Sequence, residues 1–109
     1  MSSTKLAHAV AGYIAAANAQ DINAVTACFT EDAVVLDEKQ EWRGISAIRI
    51  WAENVSKKYR PTLEVRDVTH AGGKTVIAGQ VSGDFPNSPV QLRYAFDLDG
   101  EKIRRLEIA

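Results

Sequence analysis

Few side chains in this sequence are of the types that commonly carry out reactions. Cys28 is the single cysteine, and its place in an apolar run beside Phe29 indicates a small buried residue rather than a nucleophile. His8 and His70 have no third ligand at metal spacing, so no metal site is expected. No glycine-rich loop leads from a strand into a helix, so no nucleotide cofactor is expected either. The carboxyl groups of aspartate and glutamate and the phenol of tyrosine can also take part in hydrogen bonding and proton transfer, but residue type alone assigns none of them a role.

Three helices are predicted to support such groups. The first has an apolar stripe at helical spacing, formed by Leu6, Val10, Tyr13 and Ala17. Asp21 can cap a short second helix, because its side chain can accept a free backbone N–H group. A third helix is predicted to open at residues 44–46. It stops before Pro61, since the residue that precedes a proline avoids helical geometry.

Strands are predicted between and after the helices. Residues 34–36 and 42–43 form an early hairpin, and four consecutive antiparallel strands follow Pro61. Val68 and His70 are out of phase with the preceding alternation, which predicts a bulge near Asp67. Gly72-Gly73 is a hairpin turn signal. Together the elements predict one α+β domain over residues 1–109.

Composition argues against several classes of partner. The 13 basic and 14 acidic residues are interspersed without a basic stripe, so nucleic-acid binding is not expected. No apolar run is long enough to predict a membrane span. Residues 6–19 imitate a signal peptide, but His8, Gly12 and Tyr13 interrupt the apolar run, which favours a cytoplasmic location.

Several short patterns resemble the SnoaL-like branch of the nuclear transport factor 2 (NTF2)-like superfamily, and together they span nearly the whole chain. They are Tyr13-x-x-Ala16-x-Asn18-x-x-Asp21, Phe29-x-x-Asp32-Ala33, Arg43-Gly44-x-x-Ala47-Ile48-x-x-Trp51, residues 81–90 and Lys102-Ile103-x-x-Leu106. The resemblance implies a cone: a strongly curved, mostly antiparallel sheet with three N-terminal helices packed on it and a pocket inside. It also implies a homodimer formed through the outer face of the sheet. The residues expected on that face are Glu64, Arg66, Gln91 and Arg93.

The resemblance further implies a candidate catalytic pair. In the ketosteroid isomerases of this superfamily, a tyrosine on the first helix polarises the substrate carbonyl, and an aspartate that ends the first strand moves the proton. Tyr13 and Asp37 match these positions, and the spacing between them agrees without a gap. Proton removal next to a carbonyl needs such a base and such a donor. The structural alternative is that Tyr13 packs in the core and Asp37 is a solvated turn acid.

One part of that arrangement is missing from the sequence. Ketosteroid isomerases add a second, protonated acid from a late strand. Here the matching position is Leu92 or Tyr94, depending on where the turn gap is placed. A tyrosine hydroxyl could partly substitute for the acid, whereas a leucine there would argue against steroid isomerisation. The His and Asp arrangement of dehydratases and the Asp-Arg-Asp relay of epoxide hydrolases have no clear counterpart.

An aromatic and apolar lining is predicted for the pocket, which would suit a small, flat, apolar ligand. The residues assigned to it are Trp42, Trp51, Tyr59, Phe85, Leu92, Tyr94 and Phe96. Two functions remain open. The first, slightly favoured by the sequence, is a non-catalytic binding or assembly module. The second is a cofactor-independent isomerase or cyclase in which Asp37 and Tyr13 act.

Overall fold

The computed structural model describes residues 7–109 and shows three helices and one six-stranded sheet. In chain order the elements are α1 (His8–Asn18), α2 (Ile22–Ala27), β1 (Phe29–Asp37), β2 (Gln40–Arg43), α3 (Ile45–Tyr59), β3 (Thr62–Ala71), β4 (Lys74–Ser82), β5 (Val90–Asp99) and β6 (Lys102–Ile108). The predicted α+β class is confirmed. Only α1 and α2 precede the sheet, since α3 follows the β1–β2 hairpin. Leu6 of the predicted apolar stripe lies outside the described residues.

The sheet has the order β2-β1-β6-β5-β4-β3. The four strands after Pro61 are consecutive antiparallel neighbours, as predicted, whereas β1 and β6 pair in parallel. The predicted bulge lies between Val65 and Asp67. The extra residue restores the alternation, so that Leu63 and Val68 both lie opposite buried residues of β4, Val81 and Ile77.

Local contacts explain where the helices begin and end. Asp21 Oδ1 accepts a hydrogen bond from the Ala24 backbone N–H at 3.2 Å and caps α2, as predicted. Arg60 ends α3 in the left-handed conformation, with a φ of 45°, directly before Pro61. Asn18, the last residue of α1, donates to the Leu63 carbonyl at 3.0 Å and accepts from the Leu63 N–H at 2.8 Å. This pair of bonds fastens the end of α1 to β3.

The packed core occupies only part of the space between the helices and the inner face of the sheet. The largest fully buried side chains are Phe96, Ile48, Ile77, Ile103, Leu106, Val10 and Val35. The inner side chains of β5 that precede Phe96 line open space instead. No helix within residues 7–109 is both long and apolar enough to cross a membrane.

Candidate functional site

A cavity of about 930 Å³ lies between the helices and the inner face of the sheet. Its walls are mainly apolar, and its size falls within the range of small-molecule pockets. The wall residues include Tyr13, Ala17, Val25, Trp51, Val55, Tyr59, Val81, Val90, Leu92, Tyr94 and Ile108, while residues 38–41 and Phe85 with Pro86 contribute from the connecting turns.

Asp37, the last residue of β1, is an acid on the cavity wall. It is half-buried, and its Oδ2 accepts a hydrogen bond from the Trp51 indole Nε1–H at 3.0 Å. Burial raises the pKa of the Asp37 carboxyl, the Trp51 bond opposes part of that rise, and the adjacent Glu38 carboxylate adds to it. A carboxylate with a raised pKa is a stronger base than a solvated turn acid.

Tyr13 and Tyr94 present phenol groups to the same cavity. They are 5% and 7% exposed, respectively. Within residues 7–109 neither hydroxyl has a hydrogen-bond partner, yet no buried side-chain oxygen or nitrogen there is left both enclosed and unpartnered. Both hydroxyls therefore reach the open space of the cavity.

The electrostatic setting keeps both phenols neutral. Burial raises the pKa of Tyr13, and the nearby Tyr94 and Asp37 raise it further. Burial also raises the pKa of Tyr94, with Asp37 as the second cause. Edge-on contacts with Phe29 and Phe96, at centroid distances of 5.9 and 5.6 Å, hold the Tyr13 ring in place. Two neutral hydrogen-bond donors and one basic carboxylate thus share one apolar cavity.

Five of the residues assigned to the pocket line it: Trp51, Tyr59, Phe85, Leu92 and Tyr94. Trp42 and Phe96, also assigned to the pocket, do not line this cavity. Phe96 is 0% exposed and lies one inward position beyond Tyr94 on β5, where the core is packed solid. Trp42 lies opposite Val35 in the β1–β2 hairpin. Val35 is fully buried and precedes Asp37 by two residues, so Trp42 packs against the solid part of the core. The catalytic roles of Tyr13 and Asp37 stay predictions.

The polar contacts of the cavity were missed at the sequence level. The Tyr59 hydroxyl donates to Glu38 Oε2 at 3.0 Å, and Ser56 donates to the Gln20 side chain. Helical periodicity places residues on a face of α3, but it carries no information about the polar partners of Trp51 and Tyr59. No sequence signal pointed to Glu38 or Gln20.

The remaining candidates lie apart from this chemistry. The Cys28 Sγ–H donates to the Ala24 carbonyl at 3.3 Å, and burial raises the pKa of its thiol, so the thiolate is disfavoured. His70 is exposed, with Nδ1 at 3.4 Å from Thr75 Oγ1 near the end of β3. Across residues 7–109, no three His, Cys, Asp or Glu side chains are grouped so that they could hold a metal ion.

Comparisons with known proteins place this geometry in a family. A family model described as SnoaL-like domain matches residues 10–106. A candidate polyketide cyclase from Sinorhizobium meliloti is 36% identical, with a TM-score of 0.93 and all of both chains covered. A second candidate polyketide cyclase, from Pseudomonas putida, is 22% identical, with a TM-score of 0.81 over 100% of this chain and 91% of the other.

More distant structures support the fold alone. A protein with a ketosteroid isomerase-like fold from Catenulispora acidiphila, solved in complex with trimethylamine, is 17% identical, with a TM-score of 0.84 over 96% of this chain and 86% of the other. No curated protein matches the chain. The match to the family model and the likeness to the Sinorhizobium protein each cover most or all of the sequence. The chain therefore belongs to the SnoaL-like domain family, and its fold is like that of the ketosteroid isomerase-like protein.

Proposed function

We propose that the protein is a cofactor-independent enzyme that moves a proton next to the carbonyl of a small apolar compound, as an isomerase or a cyclase does. One observation supports this most: the Asp37 carboxylate, with its raised pKa, lies on the wall of an apolar cavity that two neutral tyrosine hydroxyls also reach. A positioned base and uncharged donors are the groups that enolate formation requires. The family match and the likeness to a candidate polyketide cyclase agree with this chemistry.

In the proposed reaction, Asp37 removes the proton from the carbon next to the substrate carbonyl. The Trp51 N–H bonds to Oδ2 and the Glu38 backbone N–H also stabilises the carboxylate, so the proton goes to a lone pair that these donors leave free. Tyr13 and Tyr94 donate hydrogen bonds to the oxygen of the developing enolate. An isomerase returns the proton from Asp37 to a different carbon of the enolate. In a cyclase, the enolate carbon attacks a second carbonyl of the same molecule, and the proton passes to the new alkoxide.

A non-catalytic binding module is the second candidate, and the composition of β5 favours it. Leu92 and Tyr94 stand in the part of the strand where ketosteroid isomerases have their second acid, and both side chains line the cavity. Leu92 offers no donor, and Tyr94 offers a weaker one than a protonated acid. Loss of one oxyanion donor typically lowers the rate by about a hundred- to a thousandfold, so the cavity could retain its ligand after losing the reaction.

A ligand screen followed by one substitution separates the two functions. Flat apolar ketones and phenols are screened by thermal shift, and each hit is then incubated with the wild type, with Asp37→Asn and with Asp99→Asn as the matched control. Asparagine keeps an oxygen that can accept the Trp51 N–H, and Asp99 is exposed near the β5–β6 turn. Binding retained and turnover lost in Asp37→Asn alone supports the enzyme. Binding without turnover in all three proteins supports the binding module.

We also propose a homodimer through the outer face of β3, β4 and β5. On this face the Gln80 side chain accepts hydrogen bonds from Arg66 at 3.2 Å and Gln91 at 3.4 Å, and the half-buried Ala78 lies beside Arg93. Sedimentation analysis should show a dimer for the wild type and a monomer for Ala78→Glu, because the longer, charged side chain on the middle strand of this face would keep the two protomers apart. A monomeric wild type would contradict the proposal. The cytoplasmic location stays a prediction.

A further inference from the structure

Two turns form opposite rims of the cavity mouth. The first rim is the β1–β2 turn, where Glu38 and Lys39 line the cavity. The second rim is the loop of residues 83–89 between β4 and β5, where Phe85 and Pro86 do so. The rims belong to strands that are far apart in the sheet, since β1 and β4 are separated by β6 and β5. No strand pairing links the two rims directly, so a residue that contacts both has to belong to another element.

Tyr59, the last residue of α3, contacts both rims. Its hydroxyl donates to Glu38 Oε2 at 3.0 Å. Its ring meets the Phe85 ring edge-on, with centroids 5.7 Å apart and an angle of 87° between the planes. Its backbone carbonyl accepts a hydrogen bond from the Asp84 N–H at 2.7 Å. One residue thus uses its hydroxyl, its ring and its main chain to hold two separate segments.

We propose that Tyr59 is a specificity-determining residue that joins the two rims across the mouth and so limits the width of the molecules that enter the cavity. This role concerns the same cavity as the proposed function, but it does not require that Asp37 catalyse a reaction there. The physical requirement is that this contact adds to the bonds that each rim makes within itself.

The first rim meets that requirement. Glu38 and Lys39 have φ values of 53° and 64°, a left-handed conformation that residues other than glycine adopt at a cost. The pairing of Asp37 with Gln40 closes the turn, so a side-chain contact adds to that pairing rather than replacing it. The hydroxyl of Tyr59 supplies one, and glutamate bonds to neutral donors more strongly when it is charged.

The helix is firm enough to act as the anchor. Trp51 lies about two turns before Tyr59 on the same side of α3 and is 5% exposed. It donates to Asp37, the residue directly before Glu38, at 3.0 Å. One helix face therefore contacts both the proposed base and the first rim, each through a different aromatic residue.

Fluorescence quenching tests the proposal without a ligand. The chain contains two tryptophans, so in a Trp42→Phe background the emission comes from Trp51 on the cavity wall. Acrylamide, a small neutral quencher, must enter the cavity to reach it. Tyr59→Phe loses only the hydroxyl, and we expect its quenching constant to rise roughly twofold, the effect of one exposed hydrogen bond. Glu38→Ala breaks the same bond from the other side and should give the same rise.

Two further variants complete the quenching experiment. The double variant Tyr59→Phe with Glu38→Ala should show no additional rise, because both substitutions remove a single bond. Glu53→Gln, on the exposed side of α3, is the matched control and should leave the quenching constant unchanged. Equal constants in all variants, or the same rise in the control, would overturn the proposal. The result does not depend on turnover, so it is separate from success or failure of the proposed reaction.

Size selection is then measured with two neutral ketones, 2-acetylnaphthalene and the wider 1-acetylpyrene, by stopped-flow mixing with the wild type and with Tyr59→Phe. If the rim contact limits width, the association rate should increase from the wild type to Tyr59→Phe, and the increase should be larger for 1-acetylpyrene than for 2-acetylnaphthalene. An equal change for both ketones, with unchanged quenching, would refute the assignment of Tyr59.

Discussion

Replacing Trp51 by phenylalanine would test how the proposed base is held. The substitution removes the indole N–H that donates to Asp37 Oδ2 at 3.0 Å but leaves an aromatic ring on the cavity wall. This N–H stabilises the charged carboxylate and so opposes the rise in pKa that burial causes. Without the N–H, the pKa of Asp37 should be higher than in the wild type.

The size of the change follows from the bond that is lost. A hydrogen bond to a charged acceptor contributes about 1.5–3 kcal/mol when buried. Asp37 is only half-buried, so solvent weakens the bond to roughly 1–1.5 kcal/mol. Because 1.36 kcal/mol corresponds to one pH unit, the titration midpoint of the variant should lie about one unit above that of the wild type.

Carbon-13 NMR of the Asp37 carboxyl carbon measures that midpoint directly, with the resonance assigned from its loss in Asp37→Asn. Trp42→Phe is the matched control, since Trp42 pairs with Val35 and does not contact Asp37. An unchanged or lower midpoint in Trp51→Phe would refute the role given to the indole, as would an equal rise in the control.

Three further outcomes are expected. Because burial raises the pKa of Asp37, the folded state holds this proton more tightly than the unfolded state, and stability is lost as pH rises from about 4 through the raised pKa. Asp37→Asn should therefore melt higher than the wild type at pH 7, with the gap closing near pH 4; a gap independent of pH would contradict the cause. Asn18→Ala removes both bonds to the Leu63 backbone and should lower the free energy of unfolding in urea by about 2 kcal/mol, against less than about 0.5 kcal/mol for the exposed Asn54→Ala. Tyr13→Phe should leave ketone affinity within about twofold but reduce turnover by about a hundredfold, measured by titration and initial rates; unchanged turnover would remove Tyr13 from the reaction.

Much of the fold could be predicted because its signals are local. The bulge near Asp67 follows from a change of phase within β3, and the cap at Asp21 depends on a bond to Ala24, three residues on. The parallel pairing of β1 with β6 joins two segments that are far apart in the sequence, and no local pattern encodes it. The end of β4 at Ser82 also has no local signal, because the Asp84 N–H bonds to the Tyr59 carbonyl of α3 instead of continuing the ladder.

The candidate site was predicted less well, for a physical reason. Alternation along a strand tells which face a side chain occupies, but not how deep it lies. Tyr94 and Phe96 are both on the inner face of β5, yet only Tyr94 borders open space. The bond between Trp51 and Asp37 depends on how α3 crosses β1, a relation between elements that periodicity cannot supply. Resemblance identified Asp37 as a candidate, but not its partner.

Proton exchange at carbon tests the central claim most directly. A ketone that stabilises the protein in the thermal-shift screen, such as 2-tetralone, is incubated in D₂O with the wild type, with Asp37→Asn and with Asp99→Asn, and loss of the signals from protons next to the carbonyl is followed by ¹H NMR. Asp37 as the base predicts exchange above the buffer rate with the wild type and Asp99→Asn, and exchange at the buffer rate with Asp37→Asn. Exchange that is equally fast with Asp37→Asn, or absent with a wild type saturated by the ketone, would contradict it.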